Sequence, residues 1–139
     1  MPKTFEGVFY LYDYKVKLSK KDSVIKYQFH CPYNLAVDKK LIEFRGKNIK
    51  LTGTQEVEPK EKKNIVLLDD IFEVLDIKWK PYKNGAKTIL ELEEAYDKEK
   101  DVKAAILRGD NVKLSWEETQ QELFPVATDQ GGSGEEELI

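Results

Sequence analysis

The sequence predicts a mainly β fold with two short helices (α+β), a pseudo-two-fold barrel built from two β-β-α-β repeats. Three observations point there. First, the 139-residue chain matches itself without a gap at an offset of 63: residues 8–51 align with 71–114, and 13 of those 44 positions are identical. Average residue usage gives about two or three identities by chance, so the domain is a tandem duplication. Second, each copy opens with two stretches of period-two alternation rich in aromatic and β-branched residues. Third, each copy carries a helix-length run between a capping residue and a glycine, from Asn34 to Gly46 and from Asp97 to Gly109, followed by a short last strand. Two copies are too few for a solenoid and suit a compact fold whose halves share one interior.

In the first strand Val8, Tyr10, Tyr12, Tyr14 and Val16 alternate with Asp13, Lys15 and Lys17, so the aromatic set is expected on the buried face. Its counterpart sets Ile71, Leu75, Ile77 and Trp79 against Asp76, Lys78 and Lys80. Phe9 and Leu11, like Phe72 and Val74, make the start of each strand apolar on both sides, and that end is expected to be covered on both faces. A polar turn follows, Ser19–Ser23 in copy one and Lys83-Asn84-Gly85-Ala86 in copy two. Asn-Gly signals a hairpin because both residues tolerate positive φ. The second strand matches Ile25, Tyr27, Phe29 and Cys31 to Thr88, Leu90, Leu92 and Glu94. Asn34 and Asp97 are expected N-caps, since a short side-chain oxygen there accepts from the free amides of the first turn. Gly46 and Gly109 end both helical runs, where glycine adopts the left-handed conformation at no steric cost. The last strands begin at Asn48 and Asn111.

Residues 1–119 thus read as one duplicated domain: repeat one at 5–53, a charged linker at 54–64 and repeat two at 65–118. Residues 120–139 read as a flexible acidic tail. Residues 1–63 hold 14 Lys/Arg against 8 Asp/Glu, residues 64–119 hold 9 against 13, and the tail holds none against 5. The basic first half permits a local anion-binding face, while a net charge of −3 excludes a general polycation. No apolar run approaches the roughly 20 residues that span a bilayer. Cys31 is the single cysteine, so no internal disulfide or cysteine-built metal site forms. A reducing cytoplasm is the expected location.

The run Leu107-Arg108-Gly109-Asp110-Asn111-Val112 and its partner Phe44-Arg45-Gly46-Lys47-Asn48-Ile49 lead each helix straight into a glycine corner. In a duplicated β-β-α-β unit this resembles the cradle-loop barrels, the double-psi and RIFT-type folds with their Gly-Asp corner, over residues 5–118. Copy one departs with Lys47 where the aspartate stands in copy two. The resemblance implies a fold and says little about activity, because one scaffold hosts many sites. The Asn-Gly hairpin also remains compatible with an OB-like barrel or an α+β sandwich. Arg108-Gly109-Asp110 spells an adhesion tripeptide; it reads instead as a corner, because Arg45-Gly46-Lys47 fills the same place without spelling it.

Little points to catalysis. His30, the single histidine, and Cys31 are strand neighbours and face opposite sides, which precludes a hydrogen-bonded dyad. The paired acids Asp69/Asp70 and Glu93/Glu94 read as solvated, and nothing in their spacing fixes a metal geometry. Neither a Gly-rich phosphate loop nor a Gly-x-Ser-x-Gly elbow occurs. The expectation is a non-enzyme without cofactor or metal.

Binding is the better prospect. Lys15, Lys17, Lys78 and Lys80 recur on the polar face of equivalent strands, Lys50 and Lys113 on the last strands, and Arg45 and Arg108 at the corners. Two symmetric basic strips can track a phosphate backbone, with Tyr14, Trp79 or Tyr82 available for base stacking. Equally, such lysines protect strand edges from aggregation, and Asp13 and Asp76 recur beside them. In the tail, Gln120-Gln121-Glu122-Leu123-Phe124 resembles the Gln-x-x-Leu-Phe peptide with which bacterial replication and repair proteins dock onto the sliding clamp, implying partner contacts at Gln120, Leu123 and Phe124. The other reading is that Leu123 and Phe124 fold back and seal the barrel's end. Behind a Gly-Gly-Ser-Gly segment, Glu135-Glu136-Glu137-Leu138-Ile139 resembles the tails of bacterial single-stranded-DNA-binding proteins, which adds Leu138 and Ile139 as partner contacts. The leading expectation is a non-enzymatic accessory protein of DNA replication or recombination, phage or bacterial, binding single-stranded DNA and/or the sliding clamp through its tail. The alternative is a protein-only interaction module such as a phage inhibitor or assembly factor.

Overall fold

The computed structural model describes residues 3–55, 65–83 and 85–124. Most of the 54–64 linker and the tail beyond Phe124, with Leu138 and Ile139, lie outside the described residues. Strands β1 (Thr4–Lys17) and β2 (Val24–Pro32) lead to helix α1 (Leu35–Ile42) and strand β3 (Asn48–Gln55). The order repeats as β4 (Ile65–Tyr82), β5 (Gly85–Ala95), α2 (Lys98–Leu107) and β6 (Asn111–Glu118). The six strands close a barrel in the order β1-β2-β5-β4-β3-β6, with every pairing antiparallel.

The pseudo-symmetry can be read from the register. Gln28 pairs with Glu91 across β2 and β5, and Thr52 pairs with Ser115 across β3 and β6. Both pairs join equivalent positions of the two copies, so a half-turn through them maps the barrel onto itself. The interior follows suit: Phe9/Phe72, Leu11/Val74, Phe29/Leu92, Ile49/Val112 and Leu51/Leu114 are all buried. Each such side chain contributes about 1.5–3 kcal/mol relative to exposure, and together they form one shared core.

Each repeat also clasps the other through its glycine corner. Gly109 N donates to Leu11 O at 2.8 Å and Leu11 N to Asp110 O at 3.0 Å. Likewise Gly46 N donates to Val74 O at 2.8 Å and Val74 N to Lys47 O at 2.9 Å. Gly46 and Gly109 have φ of 80° and 87°, the left-handed region that a Cβ penalises. Because the backbone makes these contacts, Lys47 replaces the aspartate without loosening the corner. The receiving sites are bulges, between Leu11 and Asp13 in β1 and between Val74 and Asp76 in β4. The two bulge aspartates accept from the next amide, Tyr14 N at 2.9 Å and Ile77 N at 2.8 Å.

The bulges correct one expectation. An extra residue inverts the in–out alternation of a strand. Before the bulge Phe5, Phe9 and Leu11 face the core, whereas Val8, Tyr10 and Tyr12 are exposed. After it Tyr14 and Val16 pack against the core, as the alternation suggested. In β4 the inward set is Phe72, Val74 and Ile77, and Trp79 is exposed. The outer side of the first strand is therefore open where cover on both faces was expected.

Both helix caps form as expected. Asn34 Oδ1 accepts from Ala36 N at 3.0 Å and Val37 N at 3.2 Å, and Asp97 Oδ1 accepts from Glu99 N at 2.8 Å. Among the described residues no helix is long and apolar enough to cross a membrane.

Candidate nucleic-acid interface

The open outer side of β1 belongs to a larger surface. Strand register sets Tyr10 beside His30, His30 beside Ile89, and Ile89 beside Lys78. The next row sets Pro32 beside Lys87 and Lys87 beside Lys80. Tyr12 stacks on His30 with ring centroids 4.5 Å apart and planes 13° from parallel. Lys87 Nζ lies 3.3 Å from His30 Nδ1 and 5.6 Å from the centre of the Tyr12 ring. His30 Nε2 lies 3.0 Å from Gln28 Oε1. One neutral tautomer satisfies both contacts: Nε2–H donates to Gln28 and Nδ1 accepts from Lys87. Burial, then the charges of Lys87 and Lys80, push His30 down to about 4. The imidazole is thus neutral at pH 7, and the lysines carry the positive charge. Among the described residues no ion pair joins Lys80 or Lys87 to a carboxylate. Tyr10 is 42% exposed and Tyr12 53%.

The half-turn carries Tyr10, Tyr12, His30, Lys87 and Lys80 onto Glu73, Leu75, Glu93, Val24 and Lys17. Glu73 and Glu93 pair directly across β4 and β5, and burial followed by the Glu73 charge raises Glu93. This second face is also occupied. Leu123 and Phe124, both half-buried, line one cavity with Lys17, Val24, Glu73 and Glu93. Thr119 N donates to Asn48 O at 3.0 Å and Asn48 Nδ2 to Gln121 O at 2.9 Å, tying residues 119–121 down as a strap.

The cations expected from the sequence do not converge. Arg45 meets Asp76 at 3.8 Å and Arg108 meets Asp13 at 3.3 Å, each linking one repeat's corner to the other's bulge. Lys78 lies 3.5 Å from Glu91, and Lys113 lies 2.8 Å from Glu6. Lys50 is exposed and pairs in register with Glu117. Lys15 and Lys17 are exposed on the half of the barrel opposite Lys78 and Lys80, and Lys15 pairs with Lys26. Only Lys78 and Lys80 join the Tyr12–His30 surface, together with Lys87. Of the stacking candidates, Tyr14 is half-buried and Trp79 is 55% exposed, meeting Tyr33 edge-on at 6.1 Å. The Tyr82 side chain lies outside the described residues. Gln120 is exposed, while Leu123 and Phe124 are half-buried against the cavity that Lys17, Val24, Glu73 and Glu93 also line.

Sequence reasoning put Tyr10 and Tyr12 on the buried face, weighed His30 only as a partner of Cys31 and did not single out Lys87, because it followed residues that the copies share. The usable signal was the opposite one: Tyr against Glu, His against Glu and Lys against Val at equivalent positions. The paired acids need a correction as well. Glu94 is not solvated but 1% exposed, because it follows Leu90 and Leu92 on the inward side of β5. Among the described residues no three His, Cys, Asp or Glu side chains group to hold a metal ion.

Compared with known proteins, the chain matches no family model, and no curated protein and no solved structure matches it.

Proposed function

We propose that the protein binds single-stranded DNA on the Tyr10–Tyr12–His30–Lys80–Lys87 surface, as a non-enzymatic accessory of phage or bacterial DNA replication or recombination. One observation carries this reading: an exposed Tyr12 ring stacked on the His30 imidazole, flanked by Lys80 and Lys87, which among the described residues meet no carboxylate. Single strands are bound by aromatic faces that stack bases beside cations that follow the phosphates. The equivalent surface sets Glu73 and Glu93 among Lys15, Lys17 and Lys26, so it offers phosphates less net positive charge and no exposed tyrosine. The clamp-docking role of Gln120, Leu123 and Phe124 requires the strap to lift from Val24 and Asn48. The reading also takes the barrel as a cradle-loop type, supported by the glycine corners that dock on the opposite repeat's bulge.

A second reading, a protein-only module, is favoured by the acid partners of Arg45, Arg108, Lys78 and Lys113. Salt-dependent anisotropy with a fluorescent oligothymidylate separates the two. Binding should weaken steeply as salt rises, with each phosphate contact adding about 0.7 to the log–log slope. Lys80→Glu/Lys87→Glu should abolish it, whereas Lys15→Glu/Lys17→Glu on the other half should change it little. Absence of binding at low salt rejects the DNA reading in favour of the protein-only module.

A further inference from the structure

The duplication exposes a second site, independent of the DNA reading. The half-turn relates two clefts, one between α1 and β1 and the other between α2 and β4. In the α2 cleft, Lys100 reaches down to Asp70 and lies 3.5 Å from Glu94 Oε1. That ionic tether draws the helix onto the strands and leaves a cavity of about 340 Å³. The equivalents of Lys100, Asp70 and Glu94 are Val37, Gly7 and Cys31. No tether is possible there, and the cavity is about 610 Å³.

We propose that the α1 cleft binds an amphipathic organic anion, an aliphatic body bearing one carboxylate. Phe5, Gly7, Cys31, Ala36 and Val37 form its apolar side and Thr4 and Ser115 its polar side, with Lys40 at the rim. A Cβ on Gly7 would meet the Phe5 ring at 3.1 Å, so the floor is smooth and made of ring and backbone. Burial, then the Asp38 charge, push the Cys31 thiol up to about 11, which keeps the floor uncharged at neutral pH. At the rim, Glu6 is engaged by Lys113 at 2.8 Å, and among the described residues no ion pair joins Lys40 to a carboxylate. A lining with one apolar side and one polar side, with Lys40 at the mouth beside the Lys113-bound Glu6 and a volume typical of small-molecule sites, suits an apolar chain with an anionic head.

The test titrates the full chain with decanoate and, separately, with decanol, followed by amide chemical shifts and calorimetry. The expected result is saturable one-to-one decanoate binding, with shifts at Gly7, Cys31 and Val37. Ala36→Glu/Val37→Lys gives α1 the residues of α2 at these positions and should remove binding. Lys40→Glu, an exposed change that leaves the core intact, should weaken decanoate at least about tenfold, roughly 1.4 kcal/mol, and leave decanol unchanged. No saturable shift at the cleft overturns the proposal. So does decanol binding as tightly as decanoate, or Lys40→Glu binding decanoate as the parent does.

Discussion

Glu94 shows what a single residue does when duplication gives it a new environment. It stands where repeat one has Cys31, and Tyr27 Oη and Lys100 Nζ both reach its carboxylate. Burial pushes Glu94 up to about 7, against the smaller opposing effects of Tyr27 and Lys100. Burial works to lower Lys100, but Asp70 and Glu94 outweigh it and the net direction is up. A carboxyl raised above its ordinary value holds its proton more tightly in the folded state, so its contribution is greatest below about pH 4.5 and is lost as pH rises towards 7. Relative to Glu94→Gln, the parent protein should lose roughly 1–3 kcal/mol of stability between pH 4.5 and 7.5. Urea unfolding at both pH values checks this, and an equal difference at both contradicts it. The residue identities alone hid the site: two adjacent glutamates look solvated until the strand register turns one of them inward.

At the level of elements, the corners and bulges carry the architecture. Gly46→Ala and Gly109→Ala should each destabilise by about 1–2 kcal/mol, because both positions require positive φ. Equal losses, measured by thermal or urea unfolding, follow if the two corners are mechanically equivalent. A loss at one corner only contradicts that equivalence. The strands, the helices and their caps were legible, since alternation, Asn34, Asp97 and the two glycines each state a local conformation. The facing of β1 was not. Tyr10 and Tyr12 belong to one alternating series with Tyr14 and Val16, and composition does not mark where a bulge inverts the series. The recurring Asp13 and Asp76 did mark it, but they read as surface charge until their amide contacts were seen. Arg45 and Arg108 pair across the two repeats, so their recurrence has a structural reason apart from any ligand.

The whole molecule is a symmetric frame carrying two unlike surfaces and two unlike clefts. Frame residues recur in both copies because both halves need them, so repetition in the sequence reports the scaffold. The proposed sites lie where the copies diverge, at Tyr12 against Leu75, His30 against Glu93, and Val37 against Lys100. Amide chemical-shift mapping of the full chain with a short oligothymidylate at low salt tests that claim most directly. The account predicts shifts at Tyr10, Tyr12, His30, Lys80 and Lys87, with none at the equivalent Glu73, Leu75, Glu93, Lys17 and Val24. Shifts of similar size on both surfaces, or none on either, would contradict it.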